Sequence, residues 1–192
     1  MYIKIPKRLL VLVAALLLAP QLWATTVLEM NLAVLTERAD KVFRGTVLDV
    51  SEISVQAGGG TLSAIKYTLR VDESFKGNYT TFKGQRTVEV KMLGSLKQYH
   101  SGRAPIPGFP VLRIGGDYLL MVAPEGPVGL TTTMGLGQGA FSVYSDPNTR
   151  EVMALNGFNN ASLFKGMGGG LPASGPVAYD TIVGHIQSEL DN

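Results

Sequence analysis

The sequence predicts a mainly β domain, a barrel or sandwich of short strands with a short helix near its start and an amphipathic helix at its end. Three observations carry this expectation. Several short segments alternate apolar and polar residues with period two and are bounded by Gly, Pro, Asn and Asp. Helical spacing of apolar residues occurs at two places only, near residue 32 and near residue 180. The 192 residues include no cysteine, so the domain has to be held by burial rather than by disulfides or thiolate-bound metal.

The first segment reads as an export signal. Lys4, Lys7 and Arg8 precede an apolar run from Leu9 to Ala19, and Pro20 breaks it before Leu22-Trp23-Ala24. Positive, apolar and small-residue regions in that order define a cleavable leader. The apolar run is about half the roughly 20 residues that a spanning helix needs. Cleavage after Ala24 gives residues 1–24 as signal peptide and residues 25–192 as one domain that begins at Thr25 and locates to the periplasm or the medium. The whole chain has 17 basic and 15 acidic residues. The leader carries three of the bases and no acid, which leaves 14 bases against 15 acids, a net charge of −1. The basic character belongs to the leader, and the remaining bases are dispersed along strand-like segments, so nucleic acid is not an expected partner.

Asn31 can cap a helix in which Leu32, Leu35 and Ala39 recur at spacings of three and four, and Asp40 ends it. Residues 41–54 read as a long strand. Gly45 in its middle marks a bulge or the close approach of another backbone. Gly58-Gly59-Gly60 reads as an open loop. Residues 64–75 are the clearest alternation in the chain, Ile65, Tyr67, Leu69 and Val71 against Lys66, Thr68, Arg70 and Asp72, and Lys76-Gly77-Asn78 turns it. Residues 87–93 form the next strand. Residues 94–110 then read as a long irregular loop with Pro105, Pro107 and Pro110, and a loop of that length in a compact domain is a candidate for function. Tyr118 to Ala123 is a continuous apolar run and so a buried central strand. Strands are expected at 130–133, 140–144 and 151–155, with a turn at Asp146-Pro147-Asn148. A Gly-rich segment covers 156–176, and a helix follows over 177–190 with Tyr179, Ile182, Val183, Ile186 and Leu190 on one stripe.

Candidate chemistry is sparse. His185 has only Glu189 at helical spacing, which does not make a metal site, and His100 lies in the 94–110 loop beside Tyr99 and Ser101. The pattern G-x-S-x-G is absent, since Ser95 follows Gly94 directly. Gly135-Leu136-Gly137-Gln138-Gly139 and Gly166-Met167-Gly168-Gly169-Gly170 lack the Lys-Ser/Thr of a phosphate loop and read as turns. No cofactor and no metal are expected. The proline-stiffened loop gathers Tyr99, Ile106, Phe109 and Pro110, and apolar surface of this kind marks a binding site.

Ala39-Asp40-Lys41-Val42-Phe43-Arg44-Gly45-Thr46-Val47, then Ile65 to Val71 with Phe75-Lys76-Gly77, then Gly115-Gly116-Asp117-Tyr118-Leu119-Leu120, resemble in order and rough spacing the netrin-like module, which includes the tissue inhibitors of metalloproteinases. The resemblance spans about residues 32–123. It implies an OB-like, five-stranded barrel with flanking helices. In the inhibitors an amino-terminal cysteine, held by disulfides, chelates the protease zinc through its free amine and carbonyl. After the expected cleavage the mature chain starts at Thr25-Thr26 with no disulfide, so the resemblance implies Thr25 and Thr26 as the corresponding site. The same layout, with Gly135 to Phe141 and Asn156-Gly157-Phe158-Asn159-Asn160, also resembles a group of exported proteins of Gram-negative bacteria, a likeness that carries no activity with it. The expected function is an exported, non-enzymatic binding module whose partner is another exported protein, a metalloprotease being one candidate. The alternatives are an envelope protein that self-associates through 156–176 and the last helix, and a hydrolase using His100 with Ser95 or Ser101. Amino-terminal sequencing of the exported protein should return Thr25-Thr26-Val27; a start at Met1 would remove the leader reading.

Overall fold

The computed structural model describes residues 27–191; the leader, Thr25 and Thr26 lie outside the described residues. Helix α1 covers Leu32–Arg38 and is capped by Asn31, whose side chain accepts from the Val34 N–H at 3.0 Å. Strands β1 (Lys41–Ala57) and β2 (Gly60–Lys76) form a long hairpin. Strands β3 (Thr80–Phe82) and β4 (Gln85–Leu93) form a second, helix α2 spans Leu96–His100, and β5 covers Asp117–Val122. A 3₁₀ turn over Leu136–Gly139 leads to β6 (Ala140–Ser145), β7 (Val152–Asn156), β8 (Val177–Ala178) and helix α3 (Tyr179–Leu190).

The strands make one eight-stranded antiparallel sheet in the order β3-β4-β2-β1-β5-β6-β7-β8. Its mainly β character is as the sequence predicts. Both faces are covered, because adjacent residues of the central strands point to opposite sides. Val42, Leu119, Met121 and Phe141 face helices α1 and α3, against Leu32, Leu35, Ile182 and Ile186. Phe43, Leu120 and Val122 face the other way and join Leu69, Val90 and Met92 of β2 and β4. The unbroken apolar run of β5 follows from this double burial. Each fully buried Leu or Phe contributes about 1.5–3 kcal/mol.

Several boundaries differ from expectation. Gly58-Gly59-Gly60 is no open loop: Ala57 pairs with Gly60, and Gly58 and Gly59, at φ +60° and +78°, form the two-residue turn of a hairpin. The 94–110 segment is not irregular throughout. Ser95 and Gln98 form a reciprocal capping box that starts α2. Strand β3 was not foreseen, being three residues long and set by the Lys83-Gly84 turn, both at positive φ. Residues 177–178 extend the sheet before the last helix starts at Tyr179, and Leu190, expected on the buried stripe, is 36% exposed.

The strand expected at 130–133 survives as the single bridge Val122↔Thr133, flanked by Ala123 N–H donating to the Thr132 carbonyl at 2.8 Å and Met134 N–H to that of Met121 at 2.7 Å. The same segment also reaches the far side of the sheet. Thr131 N–H donates to the Lys91 carbonyl at 2.7 Å, and Lys91 N–H donates to Thr131 Oγ1 at 2.9 Å.

Gly45 fulfils both readings of a strand glycine. The β1–β2 register shifts between Arg44 and Gly45, and a Cβ at Gly45 would run into the Arg70 carbonyl oxygen. Gly45→Ala should therefore destabilise by about 3 kcal/mol, at the upper end of overpacking effects, as a lowered urea midpoint; an unchanged midpoint would show that the two strands separate at no cost.

Candidate functional site

A recess lies between the β3–β4 hairpin and the loop that leaves β5. It is a groove of about 810 Å³. Phe82, Tyr79, Val88, Leu48 and Val122 supply its apolar surface, and Thr68, Thr80, Thr81, Thr87 and Thr131 line it with hydroxyl-bearing side chains. Lys83, Lys91, Glu89 and Glu125 also line it. A volume of this order and an apolar lining with scattered polar groups are the usual properties of a ligand site. Phe82 is 64% exposed, with the Lys83 ammonium 5.3 Å from its ring centroid. Tyr79 is fixed by donating its hydroxyl to the Lys76 carbonyl at 2.6 Å and reaching the Val42 carbonyl at 3.1 Å. Its ring meets Phe43 edge-on at 5.6 Å. Burial pushes the Tyr79 hydroxyl up to about 12. The groove was not legible in the sequence: β3 is too short to show periodicity, and the loop on the far rim is far from it along the chain.

The loop residues singled out from the sequence are brought together unevenly. Tyr99 is 8% exposed and packs edge-on against Tyr67 at 6.2 Å. Its carbonyl accepts from Arg113 Nη1 at 3.1 Å, and the Arg113 guanidinium lies 5.3 Å from its ring centroid. Phe109 and Pro110 are half-buried, and Phe109 packs on the β2–β4 core. Ile106, 37% exposed, faces outward. Capping the sheet is what this loop does structurally, and its tip is the part left for contact.

Ser95 and Ser101, set beside His100 in the sequence, both serve α2. The Ser95 hydroxyl accepts from the Gln98 N–H at 3.3 Å, and Ser101 Oγ donates to the Gln98 carbonyl at 2.8 Å. His100 stacks edge-on against Tyr99 at 5.5 Å. His185 lies tilted on Phe164 at 5.5 Å. Among the described residues no group of three His, Asp or Glu side chains could hold a metal ion, and no helix is long and apolar enough to cross a membrane. Arg44, which interrupts the apolar pattern of β1, is held by Asp117 at 2.7 Å and Glu73 at 2.8 Å, with its guanidinium 4.7 Å over the Tyr179 ring. The Asp117 hydrogen bonds raise the Arg44 pKa above the ordinary arginine range, and burial raises that of Tyr179. The cluster ties the start of α3 to β1, β2 and β5.

Thr25 and Thr26 lie outside the described residues, but the segment that follows them is fixed. Gln138, 4% exposed, accepts from the Met30 N–H at 2.9 Å and donates to the Leu28 carbonyl at 2.9 Å. One side-chain amide thus pairs two backbone groups as a neighbouring strand would. The Gln138 backbone carbonyl accepts from Asn156 Nδ2 at 2.9 Å. Asn156 and Asn160 exchange side-chain-to-backbone bonds of 2.8 and 2.9 Å, and Asn160 Nδ2 reaches the carbonyls of Ala154 and Gly175 at 3.0 and 2.9 Å. Each buried amide is hydrogen-bonded at both its oxygen and its nitrogen, as burial requires. The Gly135–Gly139 and Asn156–Asn160 motifs are therefore two halves of one network. Gly137 and Gly157 are needed because their backbones pass with the Gly157 N–H on the Gly137 carbonyl at 2.9 Å.

No family model matches the chain, no curated protein matches it, and no solved structure matches it.

Gln138→Ala would strip the partners of the Met30 N–H and of the Leu28 and Gly135 carbonyls. It should cost about 2–3 kcal/mol and speed protease cleavage ahead of Asn31. A proteolysis time course read by mass spectrometry checks this; unchanged cleavage would mean that the segment is held by other contacts.

Proposed function

We propose that this protein is an exported, non-enzymatic binding module built on a netrin-like, OB-type barrel, and that its partner is another exported protein, with a metalloprotease as one candidate. The observation that carries the binding reading is the groove of about 810 Å³ between the β3–β4 hairpin and the loop after β5. An interface needs a recess that desolvates a partner's side chains, and aromatic residues such as Phe82 and Tyr79 are typical of the centre of one.

The barrel reading draws on connectivity. Going round the sheet, β1 contacts β2, β2 contacts β4, β4 meets Thr131, and the Thr131–Thr133 segment runs back along β5 to β1. Strands β4 and 131–133 would run parallel, since each is one antiparallel step removed from a neighbour of β1. Helix α2 falls between β4 and β5. That circuit and helix position are what an OB-type barrel requires, and the resemblance over residues 32–123 points the same way.

A second contact surface, the amino terminus, is favoured by the Gln138 clamp. Ordering a free terminus costs roughly 1–2 kcal/mol per residue. Clamping Leu28 and Met30 confines that cost to Thr25, Thr26 and Val27. The amine and carbonyl of Thr25 could then chelate a protease zinc from a nearly fixed base.

The test is a pull-down from periplasm and medium with mature protein starting at Thr25, in three forms: unaltered, with one alanine added before Thr25, and with Phe82→Ala. Capture lost by the added residue places the contact at the terminus, and capture of a metalloprotease in that arm supports the inhibitor-like reading. Capture reduced about tenfold or more by Phe82→Ala, equivalent to about 1.4 kcal/mol, places it in the groove. Recovery of the protein alone, as an oligomer, would replace this reading with self-association.

A further inference from the structure

The groove's floor is a gap in the hydrogen-bond ladder. Thr80 Oγ1 donates to the Thr87 carbonyl, opposite which it is paired, and Thr131 brackets the N–H and carbonyl of Lys91. Backbone groups alternate between the two edges of a strand, so Thr87, Glu89 and Lys91 present theirs to the same edge. Among the described residues Glu89 pairs with Thr68 on the other side only. One peptide N–H and one carbonyl therefore face the groove between two bridged positions that are about 13 Å apart at the strand rise of 3.2–3.4 Å. Room for a short extended backbone is what such a gap offers.

Charge decides which backbone. From Lys76 to Lys91 the chain carries four bases against one acid. Lys76 is used, donating to the Thr36 and Glu37 carbonyls at 3.0 and 2.8 Å. Glu89 is shared by Lys66 at 3.1 Å and Lys91 at 3.7 Å. Lys83 and Arg86, both exposed, make no ion pair among the described residues. The hairpin rim is thus positive on a domain whose net charge is −1. Glu125 lines the groove from the loop side. A uniform polyanion would gain at one rim and be repelled at the other. A peptide with acids on one face alone satisfies both.

We propose that the groove binds an extended acidic segment of the partner protein. Its backbone bonds the free N–H and carbonyl of Glu89, its acidic side chains meet Lys83 and Arg86, and its apolar side chains lie against Phe82 and Val88. This proposal rests on the binding-module reading and specifies its partner.

The probe is the acetylated, amidated peptide Val-Glu-Val-Glu-Val, titrated into ¹⁵N-labelled mature protein. Expected are amide shifts centred on Glu89 and its β4 neighbours, binding about tenfold weaker for Val-Lys-Val-Lys-Val, a difference of about 1.4 kcal/mol, and loss of binding when the central peptide nitrogen is methylated. The K83E/R86E double variant, which alters exposed side chains only, should reverse the preference while its circular dichroism stays unchanged. Equal binding of acidic and basic peptides, shifts outside the groove, or tighter binding of dextran sulfate at the same residues would each overturn the proposal. A natural partner that K83E/R86E captures as well as the unaltered protein does would remove this inference and leave the binding-module reading standing. Failure of both capture and peptide binding would remove the two together.

Discussion

The bend in the β1–β2 hairpin governs the rest of the molecule. Three register irregularities fall between Val42 and Asp49, around the point where the Arg70 backbone crosses Gly45. Bulges raise local twist and bend the strand that carries them. Below the bend β1 lies flat between β2 and β5, and its Val42 face can take the two helices. Beyond it β1 leaves β5 behind, since that pairing ends at Thr46↔Asp117. On the other side of β2, β4 meets the segment after β5 through the hydrogen bonds between Lys91 and Thr131. The three irregularities thus lie where β1 passes from the region shared with β5 to the region paired with β2 alone.

A second constraint holds the opposite end. Gln138, Asn156 and Asn160 lie in the interior, where an unpaired amide would cost roughly 1–3 kcal/mol. Their satisfaction requires three separate loops to arrive in one arrangement. The backbone is bent to make this possible: Leu136, Asn159, Asn160 and Ser162 all have positive φ, a conformation that non-glycine residues adopt rarely. Strain of this kind is sustained only where surrounding bonds over-determine it. The consequence is that Leu28 and Met30, ahead of α1, are held by Gln138 to the same network as Asn156 and Asn160.

The sites read from the sequence and the sites built by the fold overlap in part. The 94–110 loop was legible as a feature because prolines and length mark it. Its surface was not: Tyr99 points inward because α2, started by Ser95 and Gln98, turns its ring onto Tyr67, leaving Ile106 as the exposed member. The glycine motifs were legible as turns, whereas their shared purpose needed the three-dimensional meeting of residues some 20 positions apart in sequence. The groove left no trace in any single segment. It is made by a three-residue strand, a charge imbalance dispersed over a hairpin, and a loop distant in the chain.

By itself the sequence determined the mainly β class, the principal strands, both flanking helices, the need for Gly45 and the absence of any thiol chemistry. These follow from local periodicity and from residue types that only one backbone geometry or one chemistry permits. The tertiary structure alone decided which strands are neighbours, that both sheet faces are covered, that Gly58-Gly59 closes a hairpin, that 130–133 makes a single bridge to Val122 and hydrogen bonds to Lys91 rather than a strand, and where a recess opens. Those outcomes depend on contacts between residues far apart in the chain, and such contacts are fixed by the packing and hydrogen-bond demands of the whole molecule.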